Sequence, residues 1–240
     1  MLRKLFLRVK RSPIKILIVA ITFGIALFNL LAYKHAYAML HFSQEGDRTE
    51  KPEALTIRQK ITTLLTGVNI PKPVNTSTPD SKGLTYETHR FRVNEEVELE
   101  AWYIPHPQPK GVILIFHGYA SSKSSLLPEA QVFNEMGYGT FLVDFRGSGG
   151  SNQSETSIGY YEADDVTASV AYVQEKWEQE KLYLYGQSMG GVAILRAISE
   201  NDVDPDGIII EAVFDKILST VENRFGSMGI PSFPSARITI

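Results

Sequence analysis

A serine flanked by glycines, Gly186-Gln187-Ser188-Met189-Gly190, is where residue type and spacing point most directly to covalent chemistry. An apolar stretch, Leu182–Tyr185, runs into it, and a helix-forming stretch, Met189–Ile198, follows at once. That strand–turn–helix setting gives the G-x-S-x-G pattern its chemical meaning. The turn forces the serine backbone into a strained conformation, and Gly186 and Gly190 remove the collisions that side chains would make there. Ser188 Oγ then stands clear of the sheet at a helix N-terminus, where free N–H groups and the helix dipole favour negative charge. Attack on an acyl carbonyl creates an oxyanion, which needs two N–H donors already aimed at it. The N–H of Met189 is one. The loop after the apolar run Gly111–Phe116, at His117-Gly118-Tyr119, offers the other through the N–H of Tyr119.

Two further stretches carry reactive side chains. His117 is expected to shape its loop rather than act as a base. The glycine-rich loop Asp144–Ser151 contains Arg146 and invites a nucleotide reading. It lacks the Gly-Lys-Ser/Thr ending of a phosphate-binding P-loop, and it does not follow the first strand of its unit as a dinucleotide fingerprint does. Asp144 and Arg146 are therefore expected to fix the loop through ion pairs.

Composition narrows the classes. Hydrophobic residues make up 43% of the 240-residue chain and charged residues 21%, ordinary for a globular protein. The absence of cysteine excludes disulfides, thiolate metal sites and a cysteine nucleophile. Six basic residues and no acid occupy positions 1–15, so the rest of the chain is distinctly acidic and gives no support for nucleic-acid binding.

The elements that must position these residues are legible in order. Ile16 to Tyr33 carries no charge, and eighteen helical residues rise about 27 Å, close to the hydrocarbon thickness of a bilayer. The basic cluster before it is expected to stay cytoplasmic, which places the rest outside. A signal peptide cleaved near Ala36-Tyr37-Ala38, releasing a secreted protein, is the alternative. Positions 1–42 are thus a basic N-terminus and transmembrane signal-anchor. Positions 43–82 are a linker in which Ile57, Ile61, Leu64, Leu65 and Val68 predict a short amphipathic helix, expected to pack on the catalytic body rather than lie on the membrane. Thr85–Val93 and Val97–Ile104 predict a hairpin turning at Asn94. Strands at Gly111–Phe116, Thr140–Val143, Leu182–Tyr185 and Gly207–Ile210 then alternate with helices at Pro128–Met136, Tyr160–Trp177, Met189–Ile198 and Asp215–Phe225. This predicts an α/β fold, a mostly parallel sheet with helices on both faces.

The His117-Gly118 loop, the Asp144–Ser151 loop and the serine elbow, in that order and each at a strand end, resemble the α/β-hydrolase superfamily. They look most like exported or membrane-anchored members of the serine aminopeptidase/monoglyceride-lipase-like group, including the Bem46-like hydrolases. The resemblance runs from about Thr85 to Phe225. It implies a serine hydrolase of ester or amide bonds, with Ser188 as nucleophile, the N–H groups of Tyr119 and Met189 as oxyanion hole, a small-molecule acyl substrate, and neither metal nor organic cofactor. It also implies an acid and then a histidine after the serine. All five histidines, His35, His41, His89, His106 and His117, precede Ser188, so no triad histidine is available in the family's position. Glu211 and Asp215 stand where a minority of members place the acid, and each is also suited to structural pairing or helix capping. Positions 83–240 are accordingly expected to be a partial α/β-hydrolase domain lacking the last two strands, weakly active or inactive by itself and prone to aggregate at its last strand. A shortened, non-catalytic binding or scaffold protein is the alternative, as is a base obtained from elsewhere.

Overall fold

The computed structural model describes residues 13–51, 54–177 and 181–214, with positions 216, 218, 219 and 222. Six strands form one sheet: β1 (Glu87–Arg92), β2 (Glu98–Ile104), β3 (Val112–Phe116), β4 (Gly139–Asp144), β5 (Leu182–Gln187) and β6 (Gly207–Glu211). Their order is β1-β2-β4-β3-β5-β6. The β1–β2 and β2–β4 pairings are antiparallel, and β4–β3, β3–β5 and β5–β6 are parallel. The hairpin turn is set by Asn94, whose Oδ1 accepts the N–H groups of Glu96 and Val97, both at 2.9 Å.

Helices cover both faces, so β3 and β4 are buried throughout and read as unbroken apolar runs. On one face, Val166, Val170 and Val173 of α4 (Glu162–Lys176) and Ala193, Ile194 and Ala197 of α5 (Met189–Glu200) pack onto Leu114, Phe116, Phe141 and Leu184. On the other, Leu127 and Ala130 of α3 (Leu127–Glu135) pack onto Trp102, Ile113, Ile115 and Leu142. The sheet and both helical layers match the sequence expectation. The α4 helix begins two residues later than expected because its first residue gathers the chain before it. The Glu162 carboxylate accepts the N–H groups of Ser157 (3.0 Å) and Gly159 (2.8 Å) and the Thr156 hydroxyl (2.6 Å), which holds 156–159 as a loop. Among the described residues β6 is an edge strand, and Ile208 and Ile209 are exposed on it. The predicted helix over Asp215–Phe225 lies largely outside the described residues, as does Asp215 itself.

Among the described residues two α-helices precede the sheet. The first, α1 (Pro13–Leu40), is longer than the apolar run that predicts it and passes unbroken through Ala36-Tyr37-Ala38. It is long and apolar enough to cross a membrane, and no residue in its most apolar window is buried. The second, α2 (Ile57–Thr66), opens with a capping box: Thr56 Oγ1 accepts Gln59 N–H while Gln59 Oε1 accepts Thr56 N–H. The expectation that α2 packs on the catalytic body is corrected here. None of its residues is buried, and it lies beside the C-terminal part of α1, where His35 Nε2 bonds Leu64 O at 3.0 Å. Helical periodicity marks an apolar stripe without naming what covers it.

The connector is more tightly held than its polar composition announces. Lys72 Nζ donates to Ser151 O and Gln153 O, at 2.7 and 3.0 Å. Gly149 N–H donates to Pro73 O, and Asn75 Nδ2 to Asp144 Oδ2, both at 2.8 Å. Positions 72–75 thus run along the loop that follows β4.

Candidate active site

In the parallel β3–β5 pair Phe116 is opposite Gly186, so the two strands end together. Ligands of open α/β sheets bind beyond the carboxyl ends of such strands. Ser188 has φ 51° and ψ −111°, a backbone region that costs a non-glycine residue of order 1–3 kcal/mol and persists only where surroundings impose it. What imposes it is close packing. A Cβ on Gly186 would lie 2.6 Å from the backbone of Gly190 and Gly191, and one on Gly190 would overlap the backbone of Phe116 and His117. The elbow is further held from β6, where Glu211 O accepts the Ser188 N–H at 2.8 Å. Ser188 is half-buried, and its Oγ has no hydrogen-bond partner among the described residues.

The loop after β3 comes to the same place. A Cβ built on Gly118 would stand 3.6 Å from Ser188 Cβ, so the backbone entering Tyr119 passes beside the serine. Met189 is the first residue of α5, so its N–H has no intrahelical acceptor. The Tyr119 N–H likewise has no partner among the described residues. The Tyr119 phenol, by contrast, is engaged: it donates to Met39 O at 2.6 Å. Burial pushes its pKa up to about 12, with nearby Arg48 opposing.

His117 is wholly buried, and both ring nitrogens are used. Nε2 accepts the Phe145 N–H at 3.1 Å, which leaves the proton on Nδ1 to be donated to Gly118 O at 2.8 Å. Burial lowers its pKa, against the raising effect of Asp144 and the Gly118 carbonyl. It braces the loop and has no nitrogen free to take a proton from Ser188. The remaining histidines do not hydrogen-bond to Ser188 either. His89 faces Tyr172, His106 accepts Gln108 N–H, His35 bonds Leu64 O, and His41 lies between Tyr37 O and Glu155.

The Asp144–Ser151 loop is fixed by ions, as the sequence indicates, with partners that sequence did not name. Asp144 pairs with Lys123 Nζ and also accepts Lys123 N–H (2.7 Å) and Gly150 N–H (2.8 Å). Burial would raise its pKa, but the Lys123 ammonium and these bonds hold it below the usual carboxylate range. Lys123 is itself fully buried, reaches Glu100 at 2.8 Å and sits 4.2 Å above the Trp102 ring. Arg146 clamps Asp165 through Nη2 at 2.6 Å and Nε at 3.0 Å. Glu211, a candidate acid, accepts the Tyr185 hydroxyl at 2.6 Å, and burial followed by that bond pushes the Tyr185 pKa up. Among the described residues no three histidine, aspartate or glutamate side chains converge as metal ligands.

A mostly parallel sheet in this strand order, with a strained serine between a strand and a helix and a second loop folded beside it, defines an α/β-hydrolase. The comparisons agree: residues 107–226 match the family model described as serine aminopeptidase, S33, and the chain belongs to that hydrolase family. It is similar to the uncharacterized membrane protein YNL320W of Saccharomyces cerevisiae, 29% identical over 149 residues, 62% of this chain and 52% of that one. It is also similar to protein bem46 of Schizosaccharomyces pombe, 27% identical over 157 residues, 63% of this chain and 52% of that one. The chain spans about half the length of the curated relatives it matches. Among solved structures the Pyrococcus furiosus esterase Pf2001 superposes with TM-score 0.60 at 22% identity, over 71% of this chain and 68% of that one. Another of its crystal forms gives 0.52 at 28% identity, over 56% and 54%.

Proposed function

We propose that the chain carries the nucleophile and oxyanion loop of a serine hydrolase that cleaves ester or amide bonds of small acyl substrates. Ser188 Oγ attacks the acyl carbon, and the carbonyl electrons move onto oxygen, where the N–H groups of Tyr119 and Met189 receive the negative charge. Collapse expels the alcohol or amine with a proton and leaves an acyl-serine, which water then hydrolyses. The observation that carries this reading is that a Cβ placed on Gly118 would stand 3.6 Å from Ser188 Cβ, so the loop with the Tyr119 N–H runs beside a hydroxyl that has no partner among the described residues. With all five histidines turned elsewhere, the serine is a poor nucleophile as it stands, and slow acylation is the expected behaviour. The same observation favours a second reading, a non-catalytic acyl-binding protein. A fluorophosphonate probe separates the two: the hydrolase reading expects a covalent adduct confined to Ser188 and lost in Ser188→Ala. An adduct elsewhere, or none even at long exposure, overturns it.

We also propose that α1 is an uncleaved membrane anchor with the hydrolase domain outside the cytoplasm, rather than a signal peptide of a secreted protein. Supporting this, the helix continues through Ala36-Tyr37-Ala38, and the chain directly after it is bonded to the catalytic face. Proteolysis of sealed vesicles reads the orientation: domain fragments protected inside them, in the cytoplasmic sense, contradict it.

A further inference from the structure

Among the described residues, the apolar side chains of α2 stay largely uncovered. Ile57, Ile61, Leu64 and Leu65 fall on one stripe, and each is at least half exposed, from 53% at Leu65 to 79% at Ile57. At 100° per residue, Arg58 and Lys60 flank that stripe on either side, and Thr62, Thr63 and Thr66 lie away from it. The helix contains no acidic residue. It also lies beside the end of the candidate membrane span: besides the His35–Leu64 bond, a Cβ on Gly67, which ends α2, would stand 3.9 Å from Lys34 O and Ala38 Cβ of α1. An apolar stripe edged by cations, set beside the end of a membrane-crossing helix, has the chemistry of a helix lying in the headgroup layer.

We propose that α2 is a membrane-surface foot: its four aliphatic side chains enter the acyl boundary, and Arg58 and Lys60 meet anionic headgroups. This rests on the reading of α1 as an anchor. The end of α1, beside which the foot lies, is joined to the catalytic face. Met39 O accepts the Tyr119 hydroxyl at 2.6 Å, Leu40 O accepts Thr156 N–H at 2.9 Å, and the N–H of buried Phe42 donates to Ser154 O at 2.6 Å. The loop bearing the second oxyanion donor is thereby held at the bilayer surface, which suits acyl substrates that reside in that surface.

Because the chain has no cysteine, single labels are unambiguous. The full chain, labelled with an environment-sensitive fluorophore at Ile61→Cys, Leu65→Cys, Thr66→Cys, Val132→Cys or Ile25→Cys, is placed in phosphatidylcholine vesicles with and without phosphatidylserine. Brominated lipids then report immersion. Labels at 61 and 65 are expected to be quenched by bromines near the headgroup and that at 25 by bromines deep in the chains. Labels at 66 and 132 are expected to respond to neither. Arg58→Gln with Lys60→Gln is expected to abolish the phosphatidylserine dependence at 61. If 61 and 65 remain unquenched while 25 is quenched, the foot is wrong and the anchor stands. If 61 and 65 are shielded from aqueous iodide yet unquenched by bromolipid, a second copy or the catalytic body covers them, and the foot is again wrong. If 25 is unquenched, anchor and foot fall together.

Discussion

The serine elbow and the Asp144–Ser151 loop sit at the ends of strands two places apart in the sheet, and they are built in opposite ways. The elbow is shaped almost wholly by backbone contacts, and its hydroxyl and neighbouring N–H groups face no partner among the described residues. In the Asp144 loop, charge is met by charge: buried Lys123 with buried Asp144 and partly buried Glu100, partly buried Arg146 with buried Asp165. The glycine-rich loop that most resembles an anion cradle in sequence has spent its charged groups on structure. The serine turn leaves its hydroxyl and the Met189 N–H without a partner among the described residues. Availability of donors, rather than local composition, separates a site from a scaffold.

That contrast breaks first at Lys123. Lys123→Met keeps the volume but takes the buried cation from Asp144, while Glu100 keeps Arg90, and breaking a buried pair in this way costs about 3–5 kcal/mol. Urea unfolding is expected to show a loss of that size, and a loss below about 1 kcal/mol would place the loop's stability elsewhere. At the elbow the sensitive feature is space. Gly190→Val drives a side chain into the Phe116 backbone and is expected to cost about 1–3 kcal/mol, read in the same assay; an unchanged midpoint would mean the turn is not close-packed.

A pH series sharpens the comparison further. Burial keeps the folded-state pKa of His117 below its ordinary value of about 6.5, so its contribution is present above that pH and is lost as pH falls through the folded value. Asp144, also depressed in the folded state, adds a loss that begins near pH 4 and grows as pH falls further. The melting temperature is expected to decline as pH falls below about 6.5, and His117→Gln is expected to flatten that decline. An identical slope in the variant would remove His117 as the cause. The smallest effect is a gain. Ser188→Gly relieves the positive φ and is expected to stabilise the fold by about 1 kcal/mol, whereas destabilisation would mean the turn is not strained.

How far the sequence announced these features follows the range of the forces involved. The elbow was legible because its glycines, strand and helix are contiguous and the clash they avoid is local. The unbroken apolar runs of β3 and β4 were legible because burial on both faces leaves no other pattern. Lys123 was not, since a lysine among serines reads as solvated, and its partners lie 21 and 23 positions away. Nor was the environment of α2: its period was visible, but its place beside α1 was not. The start of α4 shifted because Glu162, an ordinary first-turn acid in sequence, turned back to hold the preceding loop.

We propose that Ser188 is a nucleophile beside the Tyr119 and Met189 N–H donors, with no proton acceptor bonded to its hydroxyl among the described residues. The most direct measurement is the rate of fluorophosphonate adduct formation at Ser188, followed by intact-protein mass spectrometry with and without added imidazole. The account expects imidazole to accelerate labelling at Ser188 and to have no such effect on Ser188→Ala. Labelling that stays on other residues, or the same imidazole response in Ser188→Ala, would contradict it.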